Sequence, residues 1–389
     1  LPTIAVRDIA IQRRENDLVL GTFGRGFYVM DDYSVLRSVE NSETPMKAQI
    51  FAVRDALMWE KATPLGRTGK AFQGDNFYLA DNLDPVAIFT YNYNEKYESL
   101  KSKRQKAEKK LIKDKKDVSY PTYDELYNEV NEAKPELVFT IRDSKDNIVK
   151  KIYRQVSRGL SRFQWNLRYE DNNPITQRQS SSYNSSDGSS TGTLVNPGKY
   201  TIDMSIMKAG EVTKVVEPQS FSVTALNNTV MPADDRTAKV EFQRKVSRLQ
   251  SEMGEYSRKF SEISDKIPYI EVAIKKSEQP TKEISKMVWD IKQLIKKVSL
   301  EFYGDNIKSR LDIESYLTPY SRLGSVAYYQ KYSTAAPTKT HMDGYQIAKE
   351  EFQPIKLMID NLRLKMSDLE SLLKDMGAAY TPGRPKAIN

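Results

Sequence analysis

Apolar and polar residues first alternate along this chain in short runs broken by turns. Ile4 to Ile11 alternate in part, and Arg13-Arg14-Glu15-Asn16-Asp17 makes a polar turn. Leu18-Val19-Leu20-Gly21-Thr22 reads as a buried strand, and Gly24-Arg25-Gly26 as a tight turn that needs glycine at positive φ. Phe27 to Met30 form the next strand, stopped by Asp31 and Asp32. Strand, turn, strand at this spacing predicts an antiparallel meander. Three strands apolar on both faces need other sheets to cover them, so residues 1–40 are expected to belong to something larger.

A second β pattern follows. The expected strands are Gln49–Val53, Val86–Tyr91, Glu136–Asp143, Ile148–Arg154, Ser161–Tyr169, Gly198–Met207, Val212–Val216 and Ser220–Thr224. Phe163, Trp165 and Leu167 alternate with Gln164, Asn166 and Arg168, and Ile202, Met204 and Ile206 repeat the period of two. Asp143-Ser144-Lys145-Asp146-Asn147 supplies hairpin-turn chemistry. With its insertion removed, this region predicts an immunoglobulin-like or fibronectin-like β-sandwich over 86–226, joined to the opening strands by a linker over 41–85 packed on it.

The insertion, residues 94–134, is dense in Lys and Glu from Glu95 to Lys116, with a second helix after Pro121. Residues 95–117 hold ten basic residues against five acidic. Two readings stand: a solvated arm laced with i,i+4 ion pairs, or a basic contact surface for an anionic partner. Residues 174–197, with Ser180-Ser181-Ser182 and Gly188-Ser189-Ser190, predict a protruding polar loop. From Asp234 the period changes to that of helices: Asp234–Ile274, Lys282–Phe302 and Gln346–Met376 carry apolar faces in phase. Residues 227–389 are therefore expected to form an antiparallel helical bundle, with Gly377 as a C-terminal stop.

Composition narrows the chemistry. There is no cysteine, so disulfides, thiol catalysis and cysteine metal sites are excluded. The single histidine, His341, is read as surface in a polar loop between helices. Sixty basic against 52 acidic residues leave a net charge of +8, enough for weak attraction to anionic surfaces. No run of apolar residues approaches a membrane span. Asp31 and Asp32 are adjacent, so they diverge rather than face each other as paired glycosidase carboxylates do, and strand termination is the reading adopted. Gly21-Thr22-Phe23-Gly24-Arg25-Gly26 has no helix after it and is a turn, not a phosphate loop; Arg25 is read as an exposed structural residue. Trp59 is assigned to packing beside the sandwich, Trp165 to its core, and Trp289 to the second helix of the tail. No catalytic, cofactor-binding or metal-ligating residue is assigned.

The run from Asp17 to Asp32 resembles the last blade of the sortilin-like β-propeller proteins of Bacteroidota, the BNR-repeat proteins often labelled glycosyl hydrolases. Ser34-Val35-Leu36-Arg37 is similar to that family's exit segment. Phe72 to Phe77, Asp84 to Tyr91, Gly159 to Arg168 and Val195 to Thr201 look like its post-propeller segments, in the same order. The aspartate box of sortilin blades is absent here. The resemblance implies that residues 1–40 are a terminal propeller blade. It also implies a non-catalytic scaffold or interaction region of an exported protein, in the periplasm, at the outer-membrane surface or outside the cell. The partners implied are the missing N-terminal propeller, an outer-membrane or secreted protein, or a glycan. No cofactor, no specific nucleic acid and no membrane span are expected. The alternative is the accessory C-terminal region of a propeller glycoside hydrolase whose active site lies upstream. The opening Leu1-Pro2-Thr3, without a leader, fits a piece of a longer chain.

Overall fold

The computed structural model describes residues 3–40, 47–59, 84–95, 97–172, 174–175, 192–226, 229, 231–277 and 281–383. The expected segment Phe72–Phe77 and most of the serine-rich tract, residues 176–191, lie outside the described residues. The chain is mixed β and α and divides into two compact units. One is Leu1–Glu170 with Ser182–Thr191 and Val195–Asn227; the other is Asn228–Asn389 with Asp171–Ser181 and Gly192–Leu194.

The first unit opens with β1 (Val6–Gln12), β2 (Asp17–Thr22) and β3 (Phe27–Met30), an antiparallel sheet of order β1-β2-β3. Gly24 and Gly26 sit at φ 76° and 69°, and Thr22 bonds the Gly26 carbonyl with both its amide (3.1 Å) and its hydroxyl (2.7 Å). A short helix, α1 (Ser34–Glu40), follows where an exit segment was expected. Asp32 starts it: Oδ1 accepts from the Ser34 amide at 3.2 Å and hydroxyl at 2.5 Å.

Next come β4 (Ala48–Ile50), β5 (Ala56–Met58) and β6 (Ala87–Tyr93), so the segment expected to be a linker, with one strand over Gln49–Val53, supplies two strands, the first ending at Ile50. After β6 two helices project, α2 (Leu100–Lys113) and α3 (Tyr123–Val130). Then β7 (Glu136–Asp143), β8 (Ile148–Gln155), β9 (Gly159–Trp165), β10 (Gly198–Lys208) and β11 (Glu211–Ala225) complete two sheets, β4-β6-β9 and β5-β11-β10-β7-β8. All pairs are antiparallel except β5 with β11. The β7–β8 turn is held by Asp143, whose Oδ1 accepts from the Lys145 and Asn147 amides, each at 2.9 Å. Burial raises the Asp143 carboxyl pKa, but the hydrogen bonds from Asn147 and Lys145 outweigh it and the net shift is downward.

Rings from both sheets meet between them. Phe89 and Tyr91 of β6 and Phe163 of β9 touch Phe139 of β7 and Phe221 of β11. The centroid distances are 5.2 Å for Phe89–Phe221, 4.8 Å for Tyr91–Phe139 and 4.6 Å for Phe139–Phe163. Trp165 is fully buried against Tyr200 and donates Nε1–H to the Arg168 carbonyl at 2.9 Å. The Tyr200 hydroxyl, near the start of β10, donates to the Asn196 carbonyl at 2.6 Å. The strand expected over Ser161–Tyr169 ends at Trp165, because Leu167 turns to φ 56° while keeping its side chain buried. The two strands expected over 212–224 are one. Glu217 and Pro218 fall where the pairing of β11 with β10 shifts register, a place where proline's missing N–H costs no ladder bond.

The second unit holds α4 (Arg236–Lys275), α5 (Lys282–Tyr303), α6 (Asn306–Arg310), α7 (Pro319–Tyr332) and α8 (Lys339–Asp375). Apolar faces of α4, α5, α7 and α8 share one core, in which Phe302 stacks on Phe352 at 5.6 Å. Three helices were expected; α6 and α7 are additional, and α8 begins seven residues before Gln346. His341 is therefore not in a loop. It occupies the first turn of α8, where its Nδ1 accepts from the Thr338 amide and its own amide donates to the Thr338 hydroxyl, both at 3.3 Å.

Candidate functional site

Pairing register shows which residues share a face of the opening sheet. Ile9 lies opposite Leu20 and Leu20 opposite Tyr28; Ile11 lies opposite Leu18 and Leu18 opposite Met30. Those residues form one face. Ala10, Val19 and Val29 align on the reverse, next to the Gly21–Phe27 pair. An antiparallel sheet with one wet side shows polar residues on that side. Here the first face is apolar, and the reverse mixes its apolar residues with Asp8, opposite Gly21, and with the Gln12–Asp17 pair. Leu20 is the sole buried residue among its strands, whereas Ile9 is 58% exposed, Val29 58% and Phe27 81%. Large apolar side chains of the two outer strands are thus exposed, while β2 between them is half-buried and its Leu20 buried.

One arginine fixes this sheet to the rest of its unit. Arg162, on the outer side of β9, donates Nε–H to the Thr90 hydroxyl of β6 at 3.1 Å. Its Nη1 and Nη2 reach the carbonyls of Asp31 and Asp32, each at 3.2 Å, just past the end of β3. The planar fork suits this arrangement, with three donors fixed in one plane and three oxygens accepting. A second tie joins Arg54 to the Glu15 carboxylate, with a further bond to the Glu15 carbonyl. Replacing Arg162 by alanine is expected to cost about 1–2 kcal/mol and to speed proteolytic cleavage between Asp31 and Glu40. Unchanged cleavage there would show that the clamp holds nothing.

The residues singled out from the sequence are not brought together. Arg25 is exposed at the β2–β3 turn. Asp31 contributes a carbonyl to the clamp, and Asp32 caps α1 and sits at φ 46°. Trp59 is half-buried just after β5, Trp165 lies in the core of the β unit, and Trp289 is exposed on α5. Nη1 of Arg104 in α2 bonds Glu108 at 2.5 Å, and its Nε bonds Glu129 of α3 at the same distance. That hydrogen bond holds the Glu129 carboxyl below the ordinary glutamate range. Between α4 and α7 a cleft of about 440 Å³ is lined by Ser257, Arg258, Ser261, Tyr320 and Gly324 among others. Among the described residues no group of His, Asp or Glu is placed to hold a metal ion.

No protein-family model, curated protein or solved structure matches the chain. The assignment of function therefore rests on these surfaces. Sequence reasoning missed Arg162 and Arg54. Arg162 occupies an ordinary outward position of the alternating run 161–165, and its acceptors at Asp31 and Asp32 are main-chain oxygens, which leave no mark in a sequence.

Proposed function

We propose that this chain is the C-terminal scaffold and interaction region of an exported sortilin-like β-propeller protein, which binds a protein or glycan at the cell envelope. The observation that carries this reading is the opening sheet, which has large apolar residues on both faces and leaves Ile9 and Ile11 of one and Phe27 and Val29 of the other exposed. A terminal propeller blade has that composition, because neighbouring blades cover it on both sides. In this reading Arg162 and Arg54 anchor the last blade, and the propeller before it does the recognition.

The remainder of the first unit fits an immunoglobulin-like or fibronectin-like sandwich. Its sheet orders, β4-β6-β9 against β8-β7-β10-β11, match strands A-B-E against C′-C-F-G, with β5 as a switched edge strand. The Tyr200 bond to the Asn196 carbonyl has the form of a tyrosine corner. The second unit fits an antiparallel helical bundle built on α4, α5, α7 and α8. Both would brace the propeller or present it to an envelope partner. No helix among the described residues is long and apolar enough to cross a membrane.

Hydrogen exchange tests the reading. In this chain alone, amides of residues 6–30 are expected to exchange at least about a hundredfold faster than those of β7 and β10, and the sheet is expected to bind a hydrophobic dye. Supplying the propeller encoded upstream should restore protection and abolish dye binding. Protection of residues 6–30 equal to that of β7 in the chain by itself would sink the proposal.

A further inference from the structure

The helical arm is built on unusual terms. Ser99 caps α2 by accepting from the Ser102 amide, and Thr122 with Glu125 forms a capping box at α3. Neither helix buries a single residue. The two meet through Arg104 with Glu129, and through the Leu100 amide, which donates to Glu132 at 2.8 Å. What remains outward falls into two stripes.

The first is basic. At 100° per residue, Lys103, Lys106, Lys109, Lys110 and Lys113 fall within an arc of roughly 120° on α2 and span about 15 Å. All are exposed, and Lys115 and Lys116 extend the stripe past the helix end. Lys106 pairs with Glu98; no ion pair joins Lys103, Lys109, Lys110 or Lys113 to an acid among the described residues. Lys109 and Lys113, and Lys106 and Lys110, are like charges at i,i+4, a spacing that destabilises an isolated helix. The lacing by ion pairs that would explain this helix as merely solvated is reduced to Arg104 with Glu108.

The second stripe is apolar. Tyr123, Leu126, Tyr127 and Val130 recur at i, i+3, i+4 and i+7 on α3, the face a helix normally buries. Here Tyr123 is 78% exposed and Val130 84%, and Tyr123 stacks on Tyr127 at 6.0 Å. Ile112 and Tyr120, at the tip of the hairpin, are exposed as well. Of the acids of α3 and its exit, Glu125 serves the cap, Glu129 holds Arg104 and Glu132 holds the Leu100 amide, which leaves the exposed Asp124 to oppose seven lysines of the stripe and its extension.

We propose that this arm docks the protein on an anionic lipid surface, with the lysines of α2 on the phosphate headgroups and the apolar stripe of α3 and tip in the interface. Free lysines on one helix of the arm, with uncovered tyrosines and aliphatics on the other and at the tip, give the arm the composition of an interfacial segment, and lysine stems can reach past the apolar level to the headgroups. Nucleic acid fits less well. The arginine of α2 is already held by two carboxylates, and Ile112, Leu126 and Val130, exposed with the tyrosines, offer a base nothing to stack on. A soluble polyanion would also leave the apolar stripe in water. The inference does not depend on what covers the opening sheet.

Sedimentation of the full chain with vesicles tests it. Binding is expected to vesicles of phosphatidylcholine mixed with phosphatidylglycerol, not to phosphatidylcholine alone, and to weaken as salt shortens the screening length. Replacing Lys109, Lys110 and Lys113 by glutamine should weaken binding about fivefold per lysine, near a hundredfold in all. Arginine at the same positions should keep it, which separates lost charge from lost folding. Serine at Ile112, Tyr123 and Tyr127 should weaken vesicle binding while leaving any association with duplex DNA unchanged. No binding to the anionic vesicles, equal binding to both vesicle types, or vesicle binding indifferent to the serine variant would each overturn the proposal, the last in favour of a soluble polyanion.

Discussion

Replacing Phe139 by alanine is expected to destabilise the β unit by about 3–5 kcal/mol, the range for a fully buried phenylalanine. Phe139 is 0% exposed and stands in β7, inside the five-stranded sheet. Its ring reaches across to the facing sheet, 4.8 Å from Tyr91 and 4.6 Å from Phe163. Phe163 in turn touches Phe89, and Phe89 touches Phe221, so Phe139 belongs to a cluster of contacting rings that links four strands of both sheets. The cavity left by truncation has walls made of rigid rings, which collapse poorly into it. The loss should appear as a fall of about 2 M in the urea midpoint, for a slope near 2 kcal/mol/M. The emission of Trp165, buried in the same core, reports it, in a background where the exposed Trp289 of the other unit is replaced by Phe. Ile88→Ala, on the outer side of β6, serves as control and should cost under about 1 kcal/mol. A Phe139→Ala cost no larger than that of the control would mean that the two sheets do not share this core.

How far the sequence foretold this arrangement depends on the physical source of each feature. Strands with one wet and one buried side announced themselves: Phe163 and Trp165 point inward between outward Arg162 and Gln164, as the alternation requires. The same alternation overreached at Leu167, because a residue can stay buried after the backbone has left the strand. Helix α7 was missed because its buried positions include Gln330, 1% exposed, and its interior holds Gly324, so neither hydrophobic periodicity nor propensity marked it. The start of α8 was missed because its capping partner at the third position is His341 rather than Glu or Gln. Strand β5 has three residues and pairs with β11 across more than 160 positions, a contact no local pattern encodes. Of the candidate surfaces, the opening sheet was legible from composition alone, since apolar residues on both faces need no partner in the chain to be recognised. The clamp on it was not. On α2 the charge run was visible, but that Lys106 alone of its basic stripe pairs with an acid among the described residues, and that the α3 stripe is exposed, are properties of the folded arm.

The Lys150–Glu170 pair gives the second large effect, and the sign depends on which partner is removed. At the bulge opposite Ile141 and Arg142, Val149 and Lys150 are both buried, and the Lys150 side chain is 2% exposed. Its ammonium lies 2.7 Å from the carboxylate of Glu170, which is itself 43% exposed. A cation held below the surface is tolerable only while its counter-charge stays in place. Glu170→Ala is therefore expected to cost about 3 kcal/mol, the lower end for breaking a buried pair because the carboxylate end is partly solvated. Lys150→Met keeps the buried stem's volume and removes the charge, so its stability should fall within about 1 kcal/mol of the parent or exceed it. In the double variant the Glu170 substitution should cost clearly less, since no ammonium remains to be stranded. Urea titration of the four proteins gives the coupling directly. Equal losses from Glu170→Ala in the presence and absence of Lys150 would mean that the carboxylate acts through other contacts and that the lysine is held by packing alone.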